Sequence, residues 1–189
     1  DKFDARVQSD VEAMMKRYVR EGDPFAKKWT GETEWYTPAR YIESARTVMG
    51  GIDLDPASCR AANAVVRAGT YYDEANNGLE QSWSGRTWLN PPYKMPAVKQ
   101  FCERLVQHVS SGDVREAIVL TNNATDTSWW VMLTACAAAV CFTTGRISFY
   151  NDDGASSSPT NGQNFHYFGD NKDRFVEVFS SHGMVMVRA

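Results

Sequence analysis

Metal-ligand pairs are missing from this chain. Its four cysteines, Cys59, Cys102, Cys136 and Cys141, include no C-x-x-C spacing, and its three histidines, His108, His166 and His182, are scattered. That argues against a zinc ribbon or a dithiol redox centre. It leaves the cysteines as reduced thiols in or near a core, which suits a cytoplasmic setting. Long apolar runs are missing too, since none approaches the ~20 residues of a membrane span, and no signal peptide is visible. Positive charge is not in excess: 20 Lys and Arg face 23 Asp and Glu, a net charge of -3. A protein that coats nucleic acid along its length is disfavoured, but an enzyme meeting DNA on one local basic face is not. There is no internal repeat.

What is present is an ordinary globular mixture. The 189 residues are 43% hydrophobic and 23% charged, enough for one domain with a sizeable core. An apolar stripe of Val7, Val11, Met14, Met15 and Tyr18 predicts a helix from Phe3 to Arg20, broken by Gly22-Asp23-Pro24. This reads as a helical extension over 1–28 ahead of a main domain over 29–189. Thr37 can cap a helix with Pro38 at its first position and Tyr41, Ile42, Ala45, Val48 and Met49 on one face; Gly50-Gly51 ends it. Strands are expected at 52–55, 70–72, 87–89, 117–120, 139–142, 146–150, 164–168 and 184–187. Helices are expected after Ser58, from Val98 to Val109, after Asp126 or Thr125, and from Lys172 to Ser181. Alternating strands and helices imply a three-layer α/β/α fold on a mostly parallel sheet. The segment 151–163, rich in Asp, Ser, Gly and Asn, reads as a surface loop.

The sharpest motif is Asn90-Pro91-Pro92-Tyr93, at the end of an apolar strand. In an open α/β sheet, ligands bind beyond the carboxyl ends of the strands. The two prolines stiffen the backbone and leave the Asn90 and Pro91 carbonyls aimed outward. Adenine N6 is a poor nucleophile because its lone pair is delocalised into the ring. Two acceptors on its two hydrogens, the Asn90 side-chain oxygen and the Pro91 main-chain oxygen, can pull the nitrogen toward tetrahedral geometry. Tyr93 offers a flat face to a base swung out of the helix. No general base is needed before transfer, so catalysis is mostly positioning. A plain Pro-Pro turn without chemistry is the alternative.

These motifs, in order, resemble the small phage-type DNA adenine-N6 methyltransferases, the phage Dam family. The resemblance runs through Trp35-Tyr36-Thr37-Pro38, then Ile52-Asp53-Leu54-Asp55-Pro56-Ala57-Ser58, then Trp88-Leu89-Asn90-Pro91-Pro92-Tyr93. It continues through Thr125-Asp126-Thr127 with Trp129, and Gly145-Arg146-Ile147-Ser148-Phe149. It implies a Rossmann-like, S-adenosylmethionine-dependent methyltransferase acting on DNA without a metal, in the host cytoplasm if phage-encoded, alone or in a restriction–modification setting. It implies that Tyr36, Thr37 and Pro38 meet the methionine carboxylate of the cofactor, which agrees with the attraction of a helix start for anions. Asp53 and Asp55, with Pro56, would hold the ribose hydroxyls or the methionine ammonium. Asp73 and the turn through Leu79 would lie by the cofactor adenine, and Asn90 would border the cofactor as well as the base. Lys94 would meet DNA, and Phe149 would form a second aromatic wall for the base.

One departure from the family pattern is a Gly-rich loop after the first strand, which is missing. The Asp53–Pro56 segment then has two readings. It is the first cofactor motif, centred on Asp55-Pro56, or the second, with Asp53 as the ribose acid; the short gap to Asn90 favours the second. Substrate alternatives are RNA adenine or a protein glutamine, since N-P-P-Y suits planar amino groups generally. A non-catalytic DNA- or cofactor-binding module is the reading of another class. Trp35, Trp129 and Trp130 fit either a site or a core. Lys16, Arg17, Arg20, Lys27 and Lys28 fit either a phosphate contact or a solvated face.

Overall fold

The computed structural model describes residues 35–151 and 160–188. The expected amino-terminal helix, its basic neighbourhood and most of the 151–163 loop lie outside the described residues. Helix α1 (Ala39–Met49) buries Tyr41, Ile42, Ala45, Val48 and Met49, the face its spacing predicts, and Gly50 ends it in the left-handed conformation. Its start differs from expectation: Pro38 is the N-cap and no side chain caps the helix. Strand β1 (Leu54–Asp55) leads to α2 (Arg60–Val66). Here the cap is the Cys59 sulfur, which accepts from the Ala62 N–H, and not Ser58. Strand β2 (Thr70–Tyr71), a 3-10 turn (Gly78–Glu80) and β3 (Gly85–Leu89) follow.

The second half holds α3 (Ala97–Ser111), β4 (Val114–Asn122), α4 (Ser128–Cys136), β5 (Ala139–Thr143), β6 (Gln163–Phe168), α5 (Lys172–Phe179) and β7 (Gly183–Val187). The α4 cap position falls on Thr127, not on Asp126 or Thr125, and the Thr127 hydroxyl donates to the Ala124 carbonyl. The strand expected at 146–150 does not form. Gln163 takes its backbone instead, with Oε1 accepting from the Ile147 N–H at 2.8 Å, and Tyr150 alone makes a bridge, to Tyr36.

Among the described residues the seven strands form one sheet in the order β2-β1-β3-β4-β6-β5-β7. The β1–β2, β1–β3 and β3–β4 pairs are parallel, and β6 is antiparallel to both β4 and β5. Five strands therefore run one way, with β6 and β7 opposed. Side-chain alternation sorts the core into two layers. Leu89, Ala117 and Val119 face α3 and α4, while Trp88, Ile118 and Leu120 face α1 and α5. This is the expected three-layer, Rossmann-like α/β fold.

The topology also fixes where a ligand fits. From β1 the chain moves outward to β2, then returns to the other side of β1 to build β3 and β4. The sheet reverses direction between β1 and β3, and such a reversal opens a crevice at the carboxyl ends of the strands. Asp55 ends β1, and Asn90 directly follows β3.

Candidate active site

Asn90 joins the crevice to helix α1. Its Nδ2 donates to the Thr37 hydroxyl oxygen at 3.2 Å. Its Oδ1 is buried and has no hydrogen-bond partner among the described residues. Leaving a buried amide oxygen unpaired costs about 1–3 kcal/mol, so this atom is available to a donor on a bound molecule. Thr37 is buried as well. Its hydroxyl turns to Asn90, which explains why α1 starts without a side-chain cap. In the first turn of α1 the Tyr41 N–H donates to the Pro38 carbonyl at 3.0 Å, and the Ala39 and Arg40 N–H groups have no partner among the described residues.

Past Asn90, Pro91 is buried and Pro92 exposed, and the chain turns before α3. Tyr93 is 36% exposed, and its phenol donates to the Leu120 carbonyl at the end of the Tyr93 side chain, 3.5 Å away. The Phe149 ring meets Tyr93 edge-on, with centroids 6.2 Å apart and planes at 76°. A base sandwiched between two rings needs parallel planes about 7 Å apart. Phe149, 5% exposed and within the α1/α5 core layer, backs Tyr93 in this arrangement. Lys94 follows Tyr93 at the rim, half-buried, and its carbonyl accepts the Val98 N–H at the start of α3.

The acids separate sharply. Asp55 is 2% exposed and accepts the Ala57 N–H at 3.3 Å. Burial pushes its carboxyl up to about 7, against the opposing hydrogen bond from the Ala57 N–H. Asp53, by contrast, lies level with Arg86 at the amino end of the strands. It accepts from Arg86 Nη2 at 2.6 Å, Arg86 Nε at 2.9 Å and the Arg86 backbone N–H at 2.8 Å, with Arg115 at 3.3 Å. Arg86 hydrogen bonding holds its carboxyl down at about 2. Asn90 lies four positions beyond Arg86, about 13 Å along a strand. Asp53 is therefore held in an ion pair with Arg86, away from the carboxyl ends of the strands. Gly85 accommodates it: a Cβ there would stand 2.7 Å from Asp53 Oδ2.

Asp73 follows β2 and closes a turn, its Oδ1 accepting from the backbone N–H and the side-chain Nδ2 of Asn76. The turn continues to Gly78, which lies so close to Pro56 that a Cβ would sit 1.9 Å from the Pro56 oxygen. Trp83 Nε1 fixes the Gly78 carbonyl at 2.7 Å, and Leu79 packs on the α3/α4 core layer. Gly78 thus ties the Asp73–Leu79 turn to Pro56, next to Asp55, and the Thr37–Asn90 hydrogen bond ties the segment before α1 to the end of β3.

Trp129 and Trp130 are core residues, while Trp35 is 41% exposed beside Tyr36. His166 is wholly buried between Thr134 and Asn164, and burial lowers its pKa to about 3. His182 bonds Ser44, and His108 faces Asp113. Among the described residues no group of three or more His, Cys, Asp or Glu could hold a metal, and no helix is long and apolar enough to cross a membrane. The Thr37–Asn90 bond had no sequence signal: 53 residues separate its ends.

The family model of DNA N-6-adenine-methyltransferase (Dam) matches residues 26–168, most of the chain. No curated protein matches it.

Proposed function

The chain belongs to the DNA N-6-adenine-methyltransferase (Dam) family, and on that premise we propose that it methylates the exocyclic N6 of adenine in DNA with S-adenosylmethionine as donor. The observation that carries this reading is the buried, unpartnered Oδ1 of Asn90 at the crevice between β1 and β3. It is an acceptor in want of a donor, and an N6 amine brings two.

The cofactor fits the residues present. The open N–H groups at the start of α1 suit a carboxylate. Asp55 suits an ammonium, being a buried carboxyl with no basic side chain bonded to it among the described residues. Asp55-Pro56 is then the first cofactor motif, because β1 is the strand that borders the crevice. Asp73 follows Asp55 by about 20 residues, the interval at which an α/β sheet places its ribose-binding acid. When bound, S-adenosylmethionine supplies an electrophilic methyl group on a sulfonium.

The chain's own residues do the rest by positioning. Asn90 Oδ1 and the Pro91 carbonyl accept the two N6 hydrogens and turn the nitrogen lone pair away from the ring. Tyr93 stacks on the base that has left the duplex, and Phe149 steadies Tyr93. Lys94 neutralises a nearby phosphate.

The test is a transfer assay with methyl-labelled cofactor on unmethylated DNA, RNA and protein. Label recovered from DNA as N6-methyladenine is the expected result. Label in RNA or in protein glutamine, or cofactor binding with no transfer to any of the three, replaces the reading.

A further inference from the structure

We propose that Thr37 is a positioning residue that sets which end of the Asn90 amide faces the target amine, and links that choice to the cofactor. The inference rests on the function proposed above. A side-chain amide has two nearly isosteric ends, and its terminal torsion is broad and roughly two-fold. Turned one way, Asn90 offers an acceptor to an N6 hydrogen. Turned the other, it sets an NH2 against an NH2, and nothing is gripped. Asn90 therefore needs a neighbour that tells its two ends apart.

Thr37 is that neighbour. It is buried, it is fixed at the start of α1, and its Oγ1 lies 3.2 Å from Asn90 Nδ2, with Asn90 Oδ1 unpartnered on the far side. A hydroxyl both donates and accepts, so alone it would tolerate either amide orientation. It discriminates only once its own proton is given elsewhere. The open start of α1 supplies that circumstance. An anion held by the first N–H groups of the helix, as the cofactor carboxylate would be, accepts the Thr37 proton. Only lone pairs then face Asn90, the amide must present Nδ2 to Thr37, and Oδ1 is left for the base. Thr37 thereby couples occupancy of the cofactor site to readiness of the base site.

The experiment compares Thr37→Val, Thr37→Ser and Asn90→Ala with the parent. It measures kcat and KM for methyl transfer to unmethylated DNA, the Kd of S-adenosylhomocysteine by calorimetry, and Tm. Thr37→Val, which keeps the shape and removes the hydroxyl, is expected to lower kcat about a hundredfold, as loss of alignment at a reacting atom does. Its S-adenosylhomocysteine Kd is expected to stay within about tenfold of the parent, since only one of several contacts is lost. Thr37→Ser should recover most of kcat. Added to Asn90→Ala, Thr37→Val should change the residual rate little, because Thr37 acts only through Asn90. Should valine unsettle the packing, Thr37→Ala serves in the same cycle. The inference is overturned if the loss lies wholly in cofactor KM and Kd with kcat intact, or if the two substitutions act independently. Near-normal turnover by Asn90→Ala overturns the proposed function itself. Loss of turnover in Asn90→Ala beside normal turnover in Thr37→Val overturns this inference alone.

Discussion

Phe149 meets Tyr93 edge to face, 6.2 Å between ring centroids, and is itself 5% exposed. The ring that faces solvent at the motif thus rests on one that belongs to the core. Phe149→Ala should lower stability by about 3–5 kcal/mol, the usual cost of emptying a buried Phe site. Activity should fall in parallel as Tyr93 loses its backing. Thermal melts with and without cofactor check this; a variant that melts like the parent yet is inactive on DNA would return Phe149 to the base site.

Asn90→Ala should slow methyl transfer severely and spare cofactor binding. The buried Oδ1 is the one acceptor of that side chain left over once Thr37 has taken Nδ2. Losing a preorganised partner of a reacting group lowers kcat by a factor of about 100 to 1000. Calorimetry with S-adenosylhomocysteine should give a Kd close to that of the parent.

Asp55 should make both stability and cofactor affinity depend on pH. Burial raises its folded pKa from 3.8 to about 7, so its contribution to stability is full below 3.8 and is lost as pH rises through about 7. Asp55→Asn should therefore gain stability relative to the parent from about pH 4 upward and hold that gain above about pH 7. A cationic partner favours the carboxylate, so cofactor binding should release a proton near neutrality. Calorimetry in buffers of different ionisation enthalpy measures that proton. Binding by the parent with no proton release near pH 7 would remove Asp55 from the cofactor site.

Asp53→Ala should leave cofactor affinity unchanged and reduce stability by about 1 kcal/mol, the scale of a partly exposed ion pair. The pair's contribution is present above 3.8 and is lost as pH falls through about 2, because Arg86 depresses the folded pKa. Denaturant melts at neutral pH and cofactor titration together check it. A weakened cofactor Kd in this variant would contradict the ion-pair role.

The layers of the fold were legible because they follow from periodicity. The stripe Val98, Phe101, Cys102, Leu105, Val106 and Val109 is the buried face of α3, and the run at 117–120 lies inside β4. Asn90 at a strand end was legible for the same reason. The fates of Asp53 and Asp55 were not. Two residues apart on one short segment, they differ only in what stands level with them, Arg86 for one and the crevice for the other, and strand pairing decides that. The missing strand at 146–150 was equally hidden, since a single side chain, Gln163, supplies the backbone partner that a neighbouring strand would have given.

The position of β6 bears on how the chain is made. It lies between β4 and β5 in the sheet, yet follows both in sequence. Until Gln163–Phe168 has left the ribosome, β5 has no strand joining it to the rest, and the outer edge of β4 stays unpaired. That edge runs through Ala117, Ile118, Val119 and Leu120, all fully buried in the finished protein. Nascent chains stalled before Gln163 therefore carry an open, apolar strand edge, the feature most prone to pairing with another chain. Truncations ending before β6 should collect in inclusion bodies, whereas chains that include it can close the sheet.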